Sequence, residues 1–435
     1  MPKSFPAINW PFPSFSPCIK AQYQKKITLI CRICGEGDVL MEDSKTNLLA
    51  FLSQDREEEI VAMVSRINEN EWEELLAAAR RHKLGPILFH SLKPYYSVSN
   101  IPPKYQDLLR KIYFNSANRN MRLYSQLEEV LQKFAKEDIP VILLKGAYLA
   151  KYIYGNIALR PMSDIDLLVK HDNCEQVHRI LIENGYSTRK EAGLHPYLKE
   201  GRIPLEIHTH LKSLPSVEHI NETALWTRTK KVNLGKTEAM ALCPEDLFLH
   251  LCLHNCIQHR FENGLVACID TVYFLKHFEE KLNWEQLWIR AQDWGIERAV
   301  YLMLALTERM IRLPMPEQIN QVVKPDQAAL NALAEAEDLI FEPQPHIGKN
   351  LALLFGKVGW RKKIKILLNR IFLPNEIIKS DKKHLFYLSR LRSLYNSHRK
   401  TVWLGLRGNP QTVTAIETQN RRNSLSKWLT RAEES

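Results

Sequence analysis

Two acids, Asp164 and Asp166, stand two residues apart at the head of the apolar run Leu167-Leu168-Val169. On a β-strand beginning near Ser163, that spacing puts both carboxylates on one face. A rigid carboxylate pair suits Mg²⁺, which takes one or two protein carboxylates and draws its other ligands from water and substrate phosphates. Two such ions about 3.5–4 Å apart activate an attacking oxygen and stabilise a leaving pyrophosphate. A third carboxylate is expected from a neighbouring strand. Glu206 fits, because its neighbours Leu205 and Ile207 must face the other way. The competing reading of all three is a row of solvated acids on an edge strand.

Lys145-Gly146 closes an earlier apolar run. Glycine allows close backbone approach, a following helix offers free N–H groups, and a lysine can meet phosphate oxygens; the same dipeptide also serves as a plain strand-to-helix turn. Arg160 is open between a triphosphate contact and a structural salt bridge. Glu206, His208 and His210 alternate in step, so either histidine could lie near the metals or line a polar strand end. His250 and His254 fall on one helix face, compatible with a metal pair, but their leucine-rich surroundings favour packing. No phosphate-binding Gly-rich signature, nucleophile elbow or kinase motif set is present.

The elements that must position these residues can be read from periodicity. Residues 44–138 are helical, with Leu108, Ile112, Leu123, Leu127, Val130, Leu131 and Phe134 at helical spacing, and Pro86, Pro94 and Pro102-Pro103 divide them into at least three helices. Val141 to Leu144 then reads as a short buried strand, Ala147 to about Tyr154 as a helix, and Asp164 to Val169 as a second strand. Asn173 to Glu183 reads as a helix stopped at Asn184-Gly185, and Pro204 to His208 as a third strand. From Pro244 the pattern is helical again, and Trp284, Leu287, Trp288, Ala291 and Trp294 form one apolar stripe expected in the core. The chain is therefore expected to comprise an N-terminal extension over 1–40 (a candidate for disorder), a helical region over 41–138, an α/β core over 139–240, a helical region over 241–340 and a basic helical region over 341–435.

Composition agrees with a folded chain. Of 435 residues, 45% are hydrophobic and 25% charged, enough apolar material for large cores. No apolar run approaches the ~18 residues of a membrane span, and the proline-rich start lacks a secretory pattern, so the expected location is cytoplasmic. Met41, just before the first helical pattern, is an alternative start. The net charge of +11 is concentrated between Leu351 and Ser435, where Lys and Arg outnumber acids by about 13. That region reads either as a nucleic-acid contact or as a solvated cationic helix surface. Cys31-x-x-Cys34 is half of a zinc ribbon with no second half.

The segments Ile142-Leu143-Leu144-Lys145-Gly146, Arg160-Pro161-Met162-Ser163-Asp164-Ile165-Asp166-Leu167-Leu168-Val169 and Leu205-Glu206-Ile207-His208 together resemble the DNA polymerase β nucleotidyltransferase superfamily. More closely, they resemble the bacterial uncharacterised nucleotidyltransferase family, and they share a Lys-Gly element with the abortive-infection nucleotidyltransferase toxins. Leu242 to Leu251 and Asp270 are similar to the helical segment that follows in the first of these families. The resemblance spans roughly residues 44–340. It departs in Gly146-Ala147, where the superfamily has Gly-Gly or Gly-Ser, and in a longer gap between Gly146 and Asp164.

The resemblance implies an α+β fold, a small mixed α/β nucleotidyltransferase core embedded in mostly helical flanks. It implies Asp164, Asp166 and Glu206 as catalytic carboxylates and metal ligands, with Lys145, Gly146, Arg160 and Ser163 at the nucleotide. The implied cofactor is Mg²⁺, as two ions, with Mn²⁺ as the alternative. The implied reaction moves a nucleoside monophosphate from an NTP such as ATP to an acceptor that is a small molecule, a protein or tRNA. Alternatives are a tRNA-directed toxin and a non-catalytic nucleotide-binding or scaffold protein.

Overall fold

The computed structural model describes residues 48, 57–98, 101–188, 196–211, 220–278, 281–322, 325–342 and 410–430. The 1–40 extension, the Cys31-x-x-Cys34 pair and most of the basic C-terminal region lie outside the described residues. The chain divides into two compact units, Met1–Asp326 and Gln327–Ser435. The helices before the sheet, and those after it as far as Asp326, belong to the same unit as the sheet.

The first unit opens with helices α1 (Glu57–Arg66), α2 (Glu69–Arg81), α3 (Gly85–Leu92) and α4 (Pro103–Ala135). Their limits follow from local chemistry. Asn68 caps α2: its side chain accepts from the Glu71 amide at 3.1 Å, and the Glu71 carboxylate accepts from the Asn68 amide at 2.7 Å. Pro86 and Pro103 sit in the first turns of α3 and α4, where a missing N–H costs nothing. The 33-residue α4 buries Leu123, Leu127, Val130, Leu131 and Phe134, as its spacing requires. Nearer its start Leu109, not Leu108, is the buried residue.

Then come β1 (Val141–Leu143), α5 (Lys145–Tyr148, continued by a π turn Leu149–Ile153), β2 (Ile165–Val169), α6 (Cys174–Glu183) and β3 (Leu205–His208). These are the strands and helices the periodicity predicts, to within a residue or two, except that Ser163 and Asp164 precede β2 instead of opening it. A short helix α7 (Glu222–Thr227) leads to a hairpin, β4 (Lys230–Leu234) and β5 (Thr237–Ala241), which the apolar pattern does not announce. The sheet order is β3-β2-β1-β5-β4. β1 and β2 are antiparallel, β2 and β3 parallel, β1 and β5 parallel, and β4 and β5 antiparallel. The hairpin turns at Gly235 (φ +59°), where a Cβ would fall 2.3 Å from the Glu128 carboxylate of α4. That carboxylate accepts from the Lys236 amide at 2.9 Å, so the long helix caps the turn, and a side chain at 235 would be strained by the positive φ and would have to displace the cap.

Helices α8 (Pro244–Cys252, continued by a π segment Leu253–Gln258), α9 (Val266–Phe278), α10 (Trp284–Asp293), α11 (Glu297–Ile311) and α12 (Glu317–Val322) complete the unit. In the expected tryptophan stripe, Leu287, Ala291 and Trp294 are buried, while Trp284 and Trp288 are half-buried at its edge. In the second unit α13 (Gln327–Phe341) packs on α14 (Pro410–Leu429), and Arg421 pairs with Asp338 at 3.3 Å and with Glu342. The fold is α+β: one five-stranded mixed sheet within a largely helical chain. No helix among the described residues is long and apolar enough to cross a membrane.

Candidate active site

Two strand pairings assemble the site. Antiparallel pairing places the end of β1 beside the start of β2, with Leu143 opposite Leu167 and the Leu144 amide donating to the Asp166 carbonyl at 3.1 Å. The next residue is Lys145, whose Nζ lies 2.7 Å from Asp166 Oδ1. Parallel pairing sets Glu206 opposite Asp166 and His208 opposite Leu168. His208 Nε2 then reaches Asp166 Oδ1 at 2.9 Å and stands 3.9 Å from Glu206 Oε2. One buried carboxylate therefore meets a lysine from the end of β1 and a histidine and a second carboxylate that both come from β3.

Burial alone would raise the Asp166 carboxyl, but the His208 hydrogen bond and the Lys145 ammonium override it and hold the group well below the usual carboxylate range. Glu206 moves the other way: burial raises its carboxyl, and the negative charges of Asp166 and Asp164 add to that. The two carboxylates thus differ in basicity, with Asp166 a fixed anion and Glu206 the better proton acceptor.

Asp164 is half-buried in the bend before β2 and feels the charges of Lys83 and Arg160. Lys83, which the sequence did not single out, stands at the end of α2 in the left-handed region (φ +59°). Burial and the Arg160 charge hold its ammonium below the ordinary lysine value, against the opposing pull of Asp164 and Asp270.

The bend itself is held by α4. Arg119 donates to the carbonyls of Met162 at 2.7 Å and Ser163 at 2.8 Å, Asn120 to those of Ile157 and Arg160, and Ser116 to that of Ala158 at 2.7 Å. These positioning residues were invisible as such in the sequence. The one available sign was polar Ser116 and Asn120 interrupting the apolar side of a long amphipathic helix.

Gly146 packs against Met162, where a Cβ would come within 2.8 Å of Met162 Cγ. The Ser163 side chain is exposed. Arg160 is not drawn to Asp166. Its guanidinium grips Asp270 of α9 through Nε at 2.7 Å and Nη2 at 2.9 Å, while Nη1 donates to the Pro161 carbonyl. Tyr154 donates to the same Asp270 at 2.7 Å. This is the salt-bridge alternative weighed for Arg160.

His210 leaves the site and pairs with Glu222. His250 is buried close enough to feel Lys145, His208 and Asp166. Burial, then the Lys145 and His208 charges, push its imidazole down to about 3, and neither ring nitrogen has a hydrogen-bond partner among the described residues.

Among the described residues, Asp166, Glu206 and His208 form the group able to hold a metal ion, with one ligand atom from each lying within 4.8 Å of the others. Two carboxylate oxygens suit Mg²⁺, and the imidazole nitrogen is a donor that Mn²⁺ accepts more readily. The donor set fits a divalent cation.

The model of a family described as uncharacterised nucleotidyltransferase matches residues 68–312, more than half of the chain and the whole of this site. The chain belongs to that family. As a member of the uncharacterised nucleotidyltransferase family it has the carboxylate-bearing sheet flanked by helices that the match spans. A crystal structure of an antigenic nucleotidyltransferase-like protein from Paracoccidioides brasiliensis is similar over 41% of this chain and 92% of its own, at 15% identity and a TM-score of 0.28. No curated protein matches.

Proposed function

We propose that the chain transfers a nucleoside monophosphate from an NTP to an acceptor hydroxyl or phosphate, releasing pyrophosphate, with Asp164, Asp166 and Glu206 as its acidic centre. The observation that carries this reading is the convergence of Asp166, Glu206, His208 and Lys145 at adjoining strand ends. Mg²⁺ or Mn²⁺ bound there would supply Lewis-acid stabilisation of phosphoryl oxygens.

The chain's own residues account for the remainder. Lys145 already rests beside the carboxylates and exchanges Asp166 for a triphosphate oxygen as charge accumulates there, while Gly146 lets the backbone approach. For a hydroxyl acceptor, its oxygen forms a bond to the α-phosphorus as the bond to pyrophosphate breaks. Glu206, the more basic carboxylate, takes the proton. His208 holds the Asp166 carboxylate in one orientation, so that little reorganisation is left for the reaction itself. Arg160 acts at one remove, anchoring the bend that carries Ser163 and Asp164.

The test is a labelled-NTP incubation with Mg²⁺ or Mn²⁺ against total RNA, protein and small-molecule fractions, with wild type compared to Asp166→Asn. Label transfer by wild type alone supports the reading and names the acceptor class. NTP binding with no transfer to any fraction would replace it with a non-catalytic nucleotide-binding protein.

A further inference from the structure

A second charged site lies across the sheet from the carboxylates. A cavity of about 330 Å³ is lined by Arg228, Lys230, Glu245, Phe278, Lys281 and Arg290, among others. Two of the lining arginines are tied to the fully buried Asp246, which holds Arg228 through Nε at 2.8 Å and Nη2 at 3.2 Å, and Arg290 through Nη1 at 3.1 Å. Glu245 is also engaged, 3.6 Å from Arg290 and accepting from the Asn283 amide at 3.1 Å. The two guanidinium groups are thereby fixed in place yet remain open to the cavity, with side-chain exposures of 29% and 18%. Lys230 and Lys281 are exposed and form no ion pair with the other described residues.

We propose that this cavity binds the phosphate group of a nucleotide-like phosphate ester. Four cations face two acids there, and the acids spend their charge on the two arginines, so the surplus rests on the lysines at the mouth. Guanidinium groups held rigid before a ligand arrives bind planar or tetrahedral oxyanions at low entropic cost. The volume exceeds what a bare phosphate needs, and the half-buried Phe278 ring offers an apolar wall for an attached sugar or base.

The site is separate from the carboxylates. Lys230 pairs with Ala241, one residue beyond the level at which Met240 pairs with Ile142 and Ile142 with Leu168. Lys230 and Asp166 therefore stand at nearly the same height on strands three spacings apart, about 14 Å.

Calorimetric titration of the full chain in EDTA reads this binding without any turnover. The probes are inorganic phosphate and a ten-residue single-stranded oligoribonucleotide. The variants are Lys230→Gln/Lys281→Gln, both exposed positions, and Asp166→Asn as the control for the carboxylate site, each checked by circular dichroism. Wild type is expected to bind at least one probe saturably, the double variant at least tenfold more weakly, and Asp166→Asn as wild type does. Tighter binding of the oligoribonucleotide than of phosphate assigns the ligand to a nucleic-acid backbone, and the reverse assigns it to a small phosphorylated molecule. Absence of binding by wild type, undiminished binding by the double variant, or loss of binding in Asp166→Asn would each overturn the proposal.

Discussion

Glu206 sits directly opposite Asp166 in the parallel β2–β3 ladder, and this single register point makes the site. A slip of one residue would put Leu205 or Ile207 in its place and turn Glu206 to the other face. The pairing also sets the electrostatic asymmetry, because Asp166 receives Lys145 and His208 while Glu206 receives chiefly negative neighbours.

Asp166→Asn keeps the shape of the carboxylate but removes the charge on which Lys145 and His208 converge. Mn²⁺ affinity, read by electron paramagnetic resonance of the free ion, is expected to fall at least tenfold, with the circular dichroism spectrum unchanged. Equal affinity in variant and wild type would count against Asp166 as a ligand.

Arg160→Gln separates two roles. Because Arg160 and Asp270 form a buried bidentate pair, losing the cation strands a carboxylate and should lower the unfolding free energy by about 3–5 kcal/mol. Urea unfolding measures it. Unchanged stability together with weakened NTP binding would instead make Arg160 a triphosphate contact.

Arg119→Ala removes both donors to the Met162 and Ser163 carbonyls. Amide hydrogen exchange between Ile157 and Asp164 should quicken, and nucleotide affinity should fall with it. Arg119→Lys should restore only part of the protection, since an ammonium lacks the fixed fork of a guanidinium. If exchange in the bend is the same in all three proteins, α4 does not hold it.

His82 supplies a pH dependence of stability. Its ring is buried, and its Nδ1 accepts from the Leu265 amide at 3.3 Å, beside Gly264 (φ +70°), where a Cβ would lie 2.4 Å from that nitrogen. Burial and the neighbouring Arg81 charge push the imidazole down to about 4. The unfolded chain therefore takes up a proton near pH 6.5, before the folded one does. Stability contributed by neutral His82 is intact above that pH and drains away as pH falls toward about 4, by about 3 kcal/mol in all. His82→Asn, which does not titrate here, should lose correspondingly less between pH 7 and pH 4.5 in urea unfolding. A stability difference between the two proteins that stays constant with pH would remove His82 from the account.

The sequence by itself determined what depends on neighbours a few residues apart. Proline and capping residues fixed helix limits, apolar runs fixed β1, β2 and β3, and the two-residue period put Glu206 and His208 on one face. The hairpin β4–β5 escaped because Lys230, Lys231 and Asn233 face water at a sheet edge, so no apolar run marks it. Tertiary structure decided the partners. Arg160 and Asp270 are 110 residues apart in the chain, and only the packing of α9 against the bend gives Arg160 a carboxylate in place of a phosphate. Lys145 meets Asp166 because β1 and β2 run antiparallel, and His208 meets it because β2 and β3 run parallel. Strand direction and register are properties of non-local pairing, and a charged side chain takes whichever counter-charge that pairing brings within reach.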